Sequence, residues 1–284
     1  GQPDGSIGSG DAGLADTGSP DSGSATHDAA GSDAPSSQDA AGNDAPAQDS
    51  ETADHAAEAG HEGGCPGTNG SPMVSVGAFC IDSTEATQAQ YALFLEAGAP
   101  PQAPPFCSWN TSYTPTGQWP PTAATLDVPV TSIDWCDAYA FCAWAGKRMC
   151  GQIGGGPVAP GLDTDAGASQ WFFACSRDGQ LAYPYGNTYG PVTCNGGDAN
   201  GGNQIVDPVG SFTACIGGFA GIYDMSGNVR EWEDSCSGMA GANDMCNERG
   251  GSVNDGAGNL TCAAPDIAAR TDSNSHLGIR CCGP

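Results

Sequence analysis

Two carboxylates, Asp224 and Glu231, stand seven residues apart around the turn-forming run Ser226-Gly227-Asn228. A hard cation such as calcium takes oxygen ligands at about 2.3–2.6 Å, and acidic side chains mixed with backbone carbonyls can supply them. A turn carrying two solvated acids fits the same spacing. Fourteen cysteines, all between Cys65 and Cys282, form the second chemically able set. An even count at this density in an acidic chain reads as a disulfide framework made in an oxidising compartment. Zinc would call for Cys-x-x-Cys pairs or clustered His partners, and no Cys-x-x-Cys occurs. Cys281 and Cys282 are adjacent and are expected to reach different partners. His276 is the one His after residue 64, and no Gly-x-Ser-x-Gly surrounds a Ser, so a hydrolase nucleophile elbow is excluded. The glycines at 154–156 lack the Lys and helix of a phosphate loop.

The elements that must position these groups are short. Thr87 can cap a helix over Gln88–Ala97, with Tyr91, Phe94 and Leu95 on one face and Gly98 as its stop. Asp134 can cap Trp135–Ala145, with Asp137 in the first turn and Gly146, Lys147 and Arg148 beyond the end. A third helix is expected at Ser169–Ser176. Strands are expected at Met73–Ile81, in part of Ile205–Phe212, at Gly250–Val253 and at Leu277–Cys281. Few helices, many short strands and Gly- and Pro-punctuated loops predict an α+β, loop-rich, disulfide-stapled fold. Trp109, Tyr113 and Trp119 lie in a Pro- and Thr-rich loop, where they can pack or stack on a sugar or peptide.

The charge divides the chain. Residues 1–64 hold 13 acids, no Lys or Arg, no Cys and no aromatic residue. Such a Gly/Ala/Ser/Asp segment cannot bury enough apolar surface to offset its ordering entropy, and is expected to be a disordered acidic linker. Residues 65–284 hold the other 20 acids and all seven basic residues, and are expected to form one domain. A chain this acidic has no electrostatic footprint for nucleic acid. No apolar run reaches the roughly 18 residues of a membrane span. An acidic tether of this kind suggests an extracytoplasmic protein, secreted, periplasmic or held at the outer membrane by a lipid on a Cys upstream of Gly1; any membrane contact would come through that anchor.

Six stretches, in order over roughly 210 residues, resemble the formylglycine-generating enzyme or sulfatase-modifying factor family. They are FCIDSTEATQAQYALFL (79–95), PVTSIDWCDAYAFCAWAGKRM (129–149), YPYGN (183–187), GIYDMSGNVREW (221–232), RGGS (249–252) and AAR…LGIRC (268–281). The resemblance implies a variant of the C-type-lectin-like fold. It also implies calcium on the fourth stretch's loop, held by the Asp224 and Glu231 side chains and the Gly227 and Val229 carbonyls. A second, weaker calcium position is implied at Asn195 and Asp198.

Formylglycine-generating enzymes hold Cu(I) between two thiols five residues apart, a sensible choice because thiolates are soft ligands. Aligned on the family pattern, the first thiol position is Asp255 and the second is Cys262. One thiol is missing, so copper is not expected. Ser252 stands at the family's active-site Ser, leaving Cys262 and Ser252 as the residual catalytic candidates. Arg230 replaces an aromatic residue beside the substrate groove. Iron of the sulfoxide-synthase kind would need three His. The resemblance implies a disulfide between Cys142 and Cys281, and one from Cys175, whose family partner position is Ile267 here, so that Cys262 is its expected partner. Cys236–Cys246 and Cys194–Cys215 are expected as local pairs. The expected function is a divergent family domain acting as a surface binding module for a protein or glycan; the alternatives are a formylglycine-generating oxidase or another oxidoreductase of this fold.

Overall fold

The sequence packs its helix signals into three short helices whose N-terminal ends are fixed by side chains. In α1, Gln88–Ala97, the Thr87 side chain accepts from Gln90 N while the Gln90 side chain accepts from Thr87 N. Asp134 and Asp137 make the same reciprocal box at the start of α2, Trp135–Trp144. Each box satisfies two backbone donors that the first turn leaves open. Helix α3, Gln170–Ser176, is capped by Ser169, whose side chain accepts from Phe172 N. The structure is a computed structural model that describes residues 64–67, 69–98 and 104–284. The expected linker, 1–64, lies outside the described residues apart from Gly64.

Eight strands form two four-stranded sheets. The first has the order β1 (Met73–Ser75), β2 (Cys80–Asp82), β8 (Cys281–Gly283), β3 (Arg148–Met149), with antiparallel neighbours. The second has the order β6 (Ile267–Ala269), β5 (Met245–Arg249), β4 (Arg230–Cys236), β7 (Leu277–Gly278). Several strand expectations fail on this register. Met73–Ile81 is a hairpin rather than one strand, because Val76 N donates to Phe79 O and Gly77 takes φ +98°. Leu277–Cys281 divides between the two sheets. Gly250 and Gly251 take φ +87° and +67° and end β5, so 250–253 is a turn. Ile205–Phe212 contains no strand.

The core has two parts. Tyr91, Phe94 and Phe141 of α1 and α2 meet Trp135, Trp232 and Leu277 in the larger one. Trp171 and Cys175 of α3 meet Phe79, Ile81 and Met225 in the other. Trp109, Tyr113 and Trp119 pack, partly buried, against the larger part. Helix α2 is buried on nearly every side, and a disulfide leaves it in each direction, Cys136 to Cys107 and Cys142 to Cys281. Cys65–Cys80, Cys150–Cys282, Cys175–Cys262, Cys194–Cys215 and Cys236–Cys246 complete seven bonds, leaving no free thiol. Loops of these lengths stabilise by about 2–4 kcal/mol per bond. Seven disulfides in one domain fit an extracytoplasmic protein.

The α2 cap carries a pH dependence. Burial first, then the Asp134 charge, pushes Asp137 up to about 8, and burial pushes Asp134 up to about 6. The folded state therefore keeps protons that the unfolded state has released above about pH 4. Stability contributed by this pair falls as pH rises from about 4 through about 8. Asp134→Asn should flatten that fall, measured as the difference in urea midpoint between pH 5 and pH 8. An unchanged difference would assign the slope to other groups.

Candidate functional site

Strand β4 places two chemistries on opposite faces, because side chains alternate along a strand. Glu231 lies opposite Arg249 on β5, and Trp232 lies opposite Glu248. One face therefore carries Glu231, Glu233 and Arg249, and the other carries Arg230 and Glu248.

The inner face is closed by Arg280. Its Nε donates to both Glu231 oxygens at 3.0 Å, and its Nη2 donates to Glu231 Oε1 at 2.8 Å. Trp171 Nε1 donates to Glu231 Oε2 at 2.7 Å. Arg280 and Glu231 are both buried. Asp224 accepts from Gly210 N at 2.5 Å and faces Glu85. Burial and then the Asp224 charge hold Glu85 well above the usual carboxylate range. Burial also raises Asp224 to about 6. Asn228 ties the loop together: it donates to Glu85 Oε1 at 3.1 Å and accepts from Asn195 Nδ2 and Asp207 N, both at 3.0 Å. At Gly227, φ is +78° and an added Cβ would stand 3.1 Å from Gly196 N, so the turn demands glycine.

As a calcium cage this loop does not fit. Both Glu231 oxygens accept from Arg280 and Trp171, so the set of Asp224, Gly227, Val229 and Glu231 has no second free carboxylate. Asn195 spends its amide on Ile205 O and Asn228, and its Oδ1 accepts from Asn200. Exposed Asp198 accepts from Tyr189 OH at 3.0 Å.

The outer face holds an ion-pair cluster. Arg230 Nη2 donates to both Asp255 oxygens at 3.1 and 2.9 Å, Nε lies 2.9 Å from Asp266, and Nη1 lies 3.6 Å from Glu248. Ser252 donates its hydroxyl to Asp255 Oδ2 at 2.8 Å, and its backbone N–H donates to the same oxygen at 2.9 Å. Burial alone would raise Asp255, but the bonds from Ser252 and the charge of Arg230 bring it below its ordinary value. Burial and then the Asp266 charge push Glu248 up to about 7. His276 sits beside the cluster, with Nδ1 3.1 Å from Asn254 Nδ2, and burial followed by Arg230 lowers its pKa.

Cys262 is bonded to Cys175 and buried. Of the two residual catalytic candidates, Ser252 lies in the cluster and Cys262 has no thiol to offer. A copper centre does not fit here: a hard carboxylate committed to Arg230 stands at one thiol position and a disulfide at the other. Arg280, Glu85, Glu248 and Asp266 escape a sequence reading. Arg280 carried a signal nonetheless, as a lone basic residue between Ile279 and two cysteines.

A model of the sulfatase-modifying factor enzyme 1-like domain matches residues 49–283. The inactive Cα-formylglycine-generating enzyme 2 of Mus musculus is 32% identical over 171 residues, covering 55% of this chain and 49% of its own length. The formylglycine-generating enzyme of Thermomonospora curvata is 33% identical over 114 residues, covering 37% of this chain and 32% of its own. The chain thus spans half or less of the length of these curated relatives. Among solved structures, PvdO from Pseudomonas aeruginosa superposes with a TM-score of 0.49 at 20% identity, covering 77% of this chain and 91% of PvdO.

The Glu231–Arg280 pair sets an expectation for calcium. Removing one partner of a buried pair costs about 3–5 kcal/mol. Glu231→Gln should lower the melting temperature equally in calcium and in chelator. A calcium-dependent rise in wild type that is lost in Glu231→Gln would return this carboxylate to a cation.

Proposed function

The chain belongs to the sulfatase-modifying factor enzyme 1-like family, and from that premise we propose that it is a binding domain in which the family's oxidase centre has been replaced by an ion-paired groove. The observation that carries this reading is the coupled change at the two thiol positions. Asp255 is held by Arg230 and Ser252, and Cys262 is consumed by Cys175. The two changes support each other chemically. A carboxylate at 255 needs a cation nearby, and Arg230, in place of an aromatic residue, supplies it at 2.9 Å. A thiolate at 262 would need reduction of a buried bond. The mouse relative is itself described as inactive, which favours the same reading.

In this groove the residues bind and orient rather than transfer electrons. Arg230 is shared by Asp255, Asp266 and Glu248, so the cluster keeps an excess of negative charge and can hold a ligand's donors. Ser252 is buried and gives its hydroxyl hydrogen to Asp255, which Arg230 holds in turn. The ligand is a protein or glycan met outside the cytoplasm.

The test is direct. Oxidised protein is titrated with Cu(I) against a colorimetric chelator and incubated with a peptide carrying a Cys-x-Pro-x-Arg sequence. We expect no stoichiometric copper uptake and no aldehyde by mass spectrometry. Copper uptake together with aldehyde formation would overturn the proposal and restore the oxidase.

A further inference from the structure

Seven basic residues serve a domain with 20 acids, and nearly all are committed internally. Lys147, Arg230, Arg249, Arg270 and Arg280 each lie within 4.0 Å of a carboxylate. Arg148 lies in the field of Asp234 and donates to Gln152 O. Arg177 differs from all of them. It is exposed, and among the described residues its side chain has neither a carboxylate nor a hydrogen-bond acceptor.

Arg177 is also placed. It closes α3 in the left-handed conformation, φ +51°, with its backbone N–H on Phe173 O. Its side chain lines a cleft of about 620 Å³ with Leu181, Pro184, Tyr185, Ile216 and Phe219. That volume falls within the range of small-ligand sites, about 300–1,000 Å³. Gly217 and Gly218 complete the wall. An added Cβ at Gly218 would stand 2.8 Å from Arg177 N and 3.0 Å from Cys175 O, so only glycine lets this segment lie against the end of α3. Among the described residues, no acidic side chain lines the cleft. Ile216 is 41% exposed within it, an apolar surface left to water.

We propose that this cleft binds the C-terminal end of a peptide, with the terminal carboxylate on Arg177 and an apolar last side chain against Ile216, Tyr185 and Phe219. The charge complement is an anion, because Arg177 is the cation left without a carboxylate among the described residues and a guanidinium matches a carboxylate bidentately. The apolar walls select the neighbouring group. A chain end fits better than an internal Asp or Glu. It presents a carboxylate and an apolar side chain from one Cα. An internal acid would carry chain on both sides of the carboxylate, and its apolar neighbour would leave from a different Cα. This site is independent of the Arg230 groove and does not rest on its reading.

Fluorescence polarisation tests it on the intact protein. The probes are fluorescein-labelled Gly-Ser-Gly-Ser peptides ending in free Ala, Val, Leu or Phe, the same peptides as C-terminal amides, and an amidated peptide with an internal Asp beside Leu. We expect at least one of the Leu and Phe acids to bind, and its amide to bind at least about tenfold more weakly, a difference of about 1.4 kcal/mol. Arg177→Asn, which tolerates the left-handed backbone, should lose binding at an unchanged melting temperature, while Arg177→Lys retains part of it. Ile216→Ser should weaken it too. Equal binding of acid and amide, wild-type binding by Arg177→Asn, equal binding of the internal-Asp peptide, or no binding by any free acid would each overturn the proposal. The copper titration bears only on the groove, so the two readings fail separately.

Discussion

The Arg280–Glu231 pair is the contact on which the remaining structure is organised. Arg280 donates to Glu231 on β4, to Asp82 O on β2 and to Tyr223 O at the head of the Asp224 loop. One guanidinium therefore joins both sheets to the loop between α3 and β4. A buried pair of this kind contributes little net stability over an apolar replacement, but losing one partner is expensive. Its effect is to exclude other arrangements: β8 cannot shift without stranding a charge. The two residues that follow reinforce this, since Cys281 and Cys282 bond α2 and the segment after β3. Asp82 adds a second tie, accepting from Lys147 at 2.6 Å and from Cys281 N at 3.0 Å.

Strand β4 turns that inner constraint into an outer surface. Because Glu231 must point inward to Arg280, Arg230 must point the other way, toward Glu248, Asp255 and Asp266. The two faces are coupled by the period of the strand and by its pairing with β5. A residue at 230 is free to change so long as the outer cluster changes with it, whereas 231 is bound to the core. Arg230 and Asp255 are paired on this face at 2.9 Å, each supplying the charge the other needs.

Scarcity of positive charge runs through the molecule. Arg249 lies over the Trp171 ring at 5.0 Å, and Arg270 lies 4.4 Å from both the Phe106 and the Trp135 rings. These guanidiniums are buried as planar, weakly hydrated groups that aromatic faces can stabilise. Excess acid is handled instead by proton retention, at Glu85 and Asp137 above all. An acidic protein with few cations therefore places its basic groups where geometry most needs them, which makes a basic side chain without a carboxylate partner informative.

Local rules account for what the sequence alone determined. The span of α1, and those of α2 and α3 to within a residue, follow from cap residues and apolar spacing, which act over one turn. The α+β class, the disulfide-rich character and the family follow from composition and from six ordered motifs. The pairs Cys236–Cys246 and Cys194–Cys215 could be read because their partners are 10 and 21 residues apart. Tertiary structure decided the rest. Strands of two or three residues, such as β3 and β7, carry too few side chains for an alternation to show, and they exist because a distant strand offers hydrogen bonds. The acids at 224 and 231 look alike in sequence, yet Glu231 faces an arginine 49 residues away and Asp224 faces a carboxyl from α1's approach. Whether a carboxylate is a ligand, a counter-ion or a proton acceptor depends on what stands opposite it in space, and no local spacing encodes that.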